Sequence, residues 1–254
     1  MLTLAGKGAL VVGAKRVGQH IVRRLAEEKV NLAIAYRSSK AEAEQLYQAV
    51  ASVVERACLL HGDVNVQEDV QRMARRAREE LGGLSFVINL ASGFTRTPFA
   101  TLDASAWDYA MVAARGSYLL AVHAARQMMD NSGPTRGHIL LFSDWAAKET
   151  PYRDYLPYLT AKAAIDFMTR AFAVELAPHG ILVNAIAPGP TMRPPDLGQD
   201  VWQRGILAHT PLQRQSSAEE IAEMVVALLK SETITGETIR VDSGRHLAGP
   251  GVGG

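Results

Sequence analysis

Cysteine is almost missing from this chain. Cys58 stands alone among 254 residues, so no disulfide can form within the chain and a reducing compartment is the expected setting. An excess of one charge is missing too: 27 Lys and Arg face 26 Asp and Glu, and both signs are spread along the sequence. That balance removes the electrostatic footprint of a nucleic-acid or anionic-membrane binder. The densest basic run, Arg72 to Arg78, is flanked by Glu68, Asp69, Glu79 and Glu80 and reads as a solvated helix face. Long apolar runs are absent as well. None approaches the ~20 residues of a membrane span, and the apolar start Gly8-Ala9-Leu10-Val11-Val12 lacks the small-residue cleavage pattern of a signal peptide, so a soluble, cytoplasmic protein is expected. The seven histidines are scattered, none at ligand spacing from Cys58 or from another, and no metal site is expected. No G-x-S-x-G elbow follows a strand, which argues against a Ser–His–Asp hydrolase.

What is present is alternation. Short runs rich in valine and isoleucine (Ala9–Val12, Asn31–Tyr36, Ala57–His61, Phe86–Asn89, His138–Phe142, Leu182–Ala187 and Thr238–Val241) alternate with stretches of helical period. Helices are expected at Val17–Lys29, Ala41–Val50, Gln67–Leu81, Ala104–Met129, Pro157–Ala177 and Ala218–Leu229. With no linker and no internal repeat, this predicts one α/β domain over 1–248: a Rossmann-like, doubly wound, seven-stranded and mostly parallel sheet with helices on both faces. The Gly/Pro-rich tail 249–254 is expected to carry no chemistry. In such a sheet ligands bind beyond the carboxyl ends of the strands, so those ends are where function should be sought.

The first strand runs into Gly13-Ala14-Lys15-Arg16-Val17-Gly18 and then a helix, a context in which backbone N–H groups and the helix dipole receive phosphate. The second ends at Tyr36-Arg37-Ser38-Ser39, where an NAD site would place an acid and an NADP site a cation. Arg37 with Lys15 and Arg16 therefore points to NADPH. Asp63-Val64 and Asn89-Leu90-Ala91-Ser92 follow the next two strands. They suit the adenine, ribose and nicotinamide, and equally suit helix caps or Asx turns. The fifth strand delivers Ser143-Asp144-Trp145, and the sixth delivers Ala187-Pro188-Gly189-Pro190. Tyr158 and Lys162, four apart on a predicted helix, share one face, and an adjacent ammonium is expected to lower the phenol's pKa and make it a proton donor.

Taken in that order, Gly13–Gly18, Asp63, Asn89–Ser92, Asp144, Tyr158–Lys162 and Pro188–Gly189 resemble the short-chain dehydrogenase/reductase family over nearly the whole chain. Lys15-Arg16, Tyr36-Arg37-Ser38 and Asn89-Leu90-Ala91-Ser92-Gly93-Phe94 with Thr97-Pro98 are most similar to its pteridine reductase-like branch. The resemblance implies an NADPH-dependent enzyme that reduces a C=O or C=N of a small, pterin-like substrate. Tyr158 would give the proton and Lys162 would hold the nicotinamide ribose. Asp144 would relay protons or bind substrate amino groups. Gly13, Lys15, Arg16, Val17, Gly18, Tyr36, Arg37, Ser38, Asp63, Val64, Asn89, Ala91, Ser92, Tyr158, Lys162, Pro188 and Gly189 would line the cofactor. Phe94, Asp144, Trp145 and Pro190 would face substrate, with Phe94 as a stacking ring or a plain core residue. A homo-oligomer, tetramer or dimer, is also implied.

The chain departs from the family pattern in three places: a phosphate loop one residue short with Val17 in place of a glycine, no asparagine among Met111 to Arg115, and one extra residue between Asp144 and Tyr158. Two other readings stay open: a 3-oxoacyl thioester reductase and a non-catalytic NADPH-binding sensor. The segment Leu197–His209, with Trp202, reads as a mobile lid or a fixed surface helix.

Overall fold

A computed structural model describes residues 1–194 and 197–248; the tail 249–254 lies outside the described residues. β1 (Gly8–Val12) shows how the fold is built, because all five of its residues are buried. Alternation of side chains along the strand sends Ala9 and Val11 to one face and Leu10 and Val12 to the other. Each face needs a covering layer, and each has one. The first packs against α1 (Val17–Glu27), α2 (Lys40–Val50) and α6 (Ala218–Lys230); the second packs against α3 (Gln67–Leu81), α4 (Ala104–Met128) and α5 (Leu156–Leu176). Burial on both faces explains why the strands read as continuous apolar runs.

The remaining strands are β2 (Asn31–Tyr36), β3 (Ala57–His61), β4 (Phe86–Asn89), β5 (Gly137–Phe142), β6 (Ile181–Pro188) and β7 (Thr238–Val241). Their order is β3-β2-β1-β4-β5-β6-β7, and every pairing is parallel. The winding direction reverses between β1 and β4, which opens a crevice at their carboxyl ends. Register decides what borders it. Val12 pairs with Ala35 and Asn89, Asn89 with Leu141, and Phe142 with Ile186, so the loops after these strands leave from one edge.

Local chemistry sets the element ends. Asp103 caps α4 by accepting from the Ala106 N–H at 2.8 Å, and Ser217 with Glu220 forms a capping box on α6. Gly82, at φ 74°, ends α3. α1 stops two residues before its apolar pattern suggests, because Lys29 takes φ 60° and leaves the helical basin. β1, β5 and β6 each begin one residue earlier than their valine and isoleucine runs indicate.

Candidate active site

Two glycines shape the crevice. Gly13 holds φ 85°, and a Cβ there would stand 2.9 Å from Ala91 N, so the turn after β1 lies directly against the turn after β4. At Gly18, in the first turn of α1, a Cβ would meet the Gly13 carbonyl oxygen at 2.4 Å. A larger residue at either position would push the turn away from the N-terminus of α1, whose positive end faces this loop. Between them Arg16 takes φ 51° and ψ −116° and Val17 opens the helix.

The three expected cations have all found partners. Lys15 Nζ lies 2.7 Å from Glu42 Oε1, Arg37 Nη1 lies 3.3 Å from Asp63 Oδ2, and Arg16 Nη2 donates to the Met192 carbonyl at 2.8 Å. Lys15 and Arg37 thus stand at the β1 and β2 ends as the sequence suggests, each beside an acid that sequence alone did not assign. Ser38 is exposed, and the Tyr36 ring tilts against His61 at 5.4 Å. Asp63 forms the Asx turn weighed above: its Oδ1 accepts from the Asn65 N–H at 2.9 Å and from Asn65 Nδ2 at 3.0 Å. Burial pushes its carboxyl pKa up, but the Asn65 bonds and Arg37 outweigh burial and hold it below the usual range. Val64 packs under Gly116 of α4. Asn89 donates to Ser117 Oγ at 3.0 Å and accepts from Ala91 N–H at 3.1 Å, which fixes the loop through Ser92.

At the end of β5 the structure brings together Asp144, Tyr158 and Lys162, the three residues expected to carry acid–base chemistry. Tyr158 Oη donates to Asp144 Oδ2 at 2.9 Å, and Asp144 Oδ1 accepts the Ala146 N–H at 2.9 Å. Lys162, only 4% exposed, donates from Nζ to the Phe142 carbonyl at 2.7 Å, and that ammonium lies 5.7 Å from the Tyr158 ring centroid. Ser143 Oγ donates to the Lys162 carbonyl at 3.1 Å, tying α5 to β5. One expectation is corrected here. Lys162 does not bring the phenol into easy reach of neutral pH; burial, then the Asp144 carboxylate, push the Tyr158 pKa well above its ordinary value. Burial likewise raises Asp144, against the Ala146 and Tyr158 hydrogen bonds, and lowers Lys162 to about 8, against the pull of Asp144. The reason is that charge of either sign is poorly solvated in this dry corner.

Phe94 is no core residue. It is 53% exposed, stacks on Tyr155 at 4.6 Å and meets the edge of Tyr158 at 5.1 Å. The loop that carries it is clamped to the loop before α5. Arg96 donates through Nε and Nη2 to Asp154 Oδ2 at 3.0 and 2.5 Å, and the Thr97 N–H donates to the Asp154 carbonyl at 2.6 Å. Trp145, expected to face substrate, is 9% exposed and packed between the Tyr152 ring at 5.7 Å and the Arg245 guanidinium at 4.9 Å. Tyr152 and Tyr155 were missed in the sequence, although the spacing 152, 155, 158 places three phenols in succession before and within the first turn of α5.

Pro188 closes β6, and Gly189 donates to the Val241 carbonyl at 2.9 Å. A Cβ on Gly189 would meet Asp242 at 2.5 Å, so only glycine lets this turn lie on the β7 end. Pro190 accepts from the Ser216 N–H at 2.9 Å. In the segment Leu197–His209 the structure shows helical turns at Val201–Ile206 and Leu207–His209, with Trp202 and Leu207 buried. Among the described residues no helix is long and apolar enough to cross a membrane, and no group of three His, Cys, Asp or Glu is placed to hold a metal.

The sequence profile of the family described as Enoyl-(Acyl carrier protein) reductase matches residues 12–246. Glucose 1-dehydrogenase 2 of Bacillus subtilis is 30% identical over 252 residues, covering 96% of this chain and 96% of that protein. Among solved structures, FolM Alternative dihydrofolate reductase 1 from Brucella canis, complexed with NADP, aligns with a TM-score of 0.85 at 29% identity over 97% of this chain and 96% of that one. A short chain dehydrogenase from Burkholderia cenocepacia in complex with NADP aligns with a TM-score of 0.87 at 27% identity over 96% and 99%.

Proposed function

The chain belongs to the short-chain dehydrogenase/reductase family, and from that premise we propose that it is an NADPH-dependent reductase of a C=O or C=N group in a small, flat, pterin-like substrate. The observation that carries the reading is Tyr158 hydrogen-bonded to Asp144 beside buried Lys162, at the same carboxyl edge of the sheet as the Gly13 turn. The NADP complexes of the Brucella and Burkholderia structures support the cofactor, and the loops of this chain fit it. Gly13 and Gly18 let the turn after β1 pack closely against the β4 turn and onto the start of α1, whose N-terminus would receive a pyrophosphate, and Lys15 and Arg37 stand at strand ends where a 2′-phosphate would compete with Glu42 and Asp63 as their partner. NADPH supplies the hydride.

The protein's own part is proton delivery and orientation. A phenol is neutral near pH 7 at its ordinary pKa of about 10, and burial beside Asp144 moves Tyr158 further from ionising, so it holds a proton to give throughout the neutral range. Negative charge that develops on substrate oxygen or nitrogen draws its proton, and the Lys162 ammonium limits the cost of the phenolate that results. Phe94, half exposed and backed by the stacked Tyr155 ring, would offer its outer face to a flat substrate, which favours this reading over an extended acyl thioester. The test is NADPH absorbance against dihydropterins, quinones, diketones and 3-oxoacyl thioesters. Consumption with a cyclic substrate is expected; tight NADPH binding with no consumption would favour a sensor, and thioester turnover alone would favour the acyl reductase.

A further inference from the structure

Tyr152 stands between the Asp144–Tyr158 pair and a cleft in the protein surface. Its hydroxyl lies 3.5 Å from Asp144 Oδ2, the oxygen that also accepts from Tyr158. It also forms part of the wall of a cleft of about 480 Å³, together with Phe99, Ala147, Asp154, Leu159 and Ala163. Stacking on Trp145 and an edge contact with Tyr155 at 5.0 Å fix its ring. On α4, Ala113 and Ala114 are buried, and Ser117 Oγ accepts from Asn89 Nδ2 and donates to the Ala113 carbonyl. A phenol that has given its proton to product must regain one. From Tyr158, hydrogen bonds lead to Asp144 and on to Tyr152 at the cleft.

We infer that Tyr152 is a positioning residue that fixes the Asp144 carboxyl and passes protons to it from solvent in the cleft. The inference rests on the reductase reading. When the Tyr158 O–H bond breaks toward substrate, the phenolate is reprotonated through Asp144. The Tyr152 hydroxyl gives its proton to the carboxylate as it takes another from hydronium or a buffer acid, and the carboxyl so formed gives a proton to the phenolate oxygen. One solvent proton enters, one proton leaves in product, and no electron moves along this path. Among the described residues, the titratable groups that act on Asp144 are Tyr158 and Lys162 of α5 and Tyr152 of the preceding loop; Tyr155 packs on Tyr152 and Tyr158, and Arg245 lies over the Trp145 ring.

Tyr152→Phe tests this while keeping the ring and its contacts. The first readout needs no substrate: the infrared carbonyl stretch of protonated Asp144, identified by its loss in Asp144→Asn, is followed against pH. Loss of one phenol donor is expected to raise the midpoint by about one pH unit. The second readout uses the substrate found in the NADPH panel. There kcat is expected to fall about tenfold with a changed solvent isotope effect, while KM and NADPH affinity stay within about twofold. An unmoved midpoint overturns the proposal whatever the turnover. A moved midpoint with unchanged kcat and isotope effect overturns the proton path. A moved midpoint in a protein that consumes no NADPH with any substrate supports the Tyr152–Asp144 link and overturns the reductase reading instead.

Discussion

Arg37 is the residue on which we propose that cofactor choice turns. Its guanidinium and the Lys15 ammonium stand at the ends of β1 and β2, each beside one carboxylate, and a 2′-phosphate offers more charge than either. Arg37→Ala is expected to weaken NADPH roughly tenfold more than NADH in fluorescence titrations; equal losses would sink this assignment. Such residues were legible because strand ends are where an α/β sheet places function. Their partners were not. Glu42 lies on α2, 27 positions after Lys15, and only the packing of α2 against the sheet brings them together. The direction of the Tyr158 shift was also out of reach, because burial beside Asp144 dominates and burial is a property of the folded molecule. Tyr152 was hidden for a further reason: the extra residue between Asp144 and Tyr158 lies in a loop, where no periodicity says which way a side chain turns.

The element that most constrains the site is the turn from β1 into α1. Gly13→Ala would place a methyl against the backbone of the β4 turn in a left-handed conformation, at a cost of about 1–2 kcal/mol for the backbone alone. Calorimetry is expected to show a lowered Tm, and NADPH titration a greater loss of affinity than that destabilisation explains, because the turn would move off the α1 N-terminus. Unchanged affinity would mean that the turn does not hold the pyrophosphate. Strands and helices were read correctly in type and number, since burial on both faces leaves unbroken valine and isoleucine runs and one-sided burial leaves a helical period. Their ends shifted by a residue or two where a single φ, as at Lys29, decides the exit.

At the scale of the whole molecule, acid sensitivity is built into the sheet. His138 of β5 is fully buried, and neither ring nitrogen has a hydrogen-bond partner. Burial, opposed by Glu232 and assisted by Lys7, lowers its pKa from 6.5 to about 4. The folded state therefore refuses a proton that the unfolded chain accepts, so stability is complete above the unfolded value and is lost as pH falls from 6.5 toward 4. The loss amounts to about 3 kcal/mol for this one group. Urea unfolding at pH 7.5 and pH 4.5 is expected to show it, and His138→Phe to remove most of the difference; an equal acid loss in that variant would assign it to other groups. Exposed Trp107 and Tyr118 on α4 and Phe167 and Val174 on α5 support a proposed homo-oligomer through this face. Light scattering is then expected to give a multiple of 27.5 kDa, and Phe167→Glu to reduce it.

The central claim is that Tyr158 gives the proton, and Tyr158→Phe tests it with one hydroxyl. NADPH consumption with the best substrate of the panel is expected to fall by at least about a hundredfold, with NADPH affinity within about twofold of the wild type. Turnover at the wild-type rate in that variant would contradict the account.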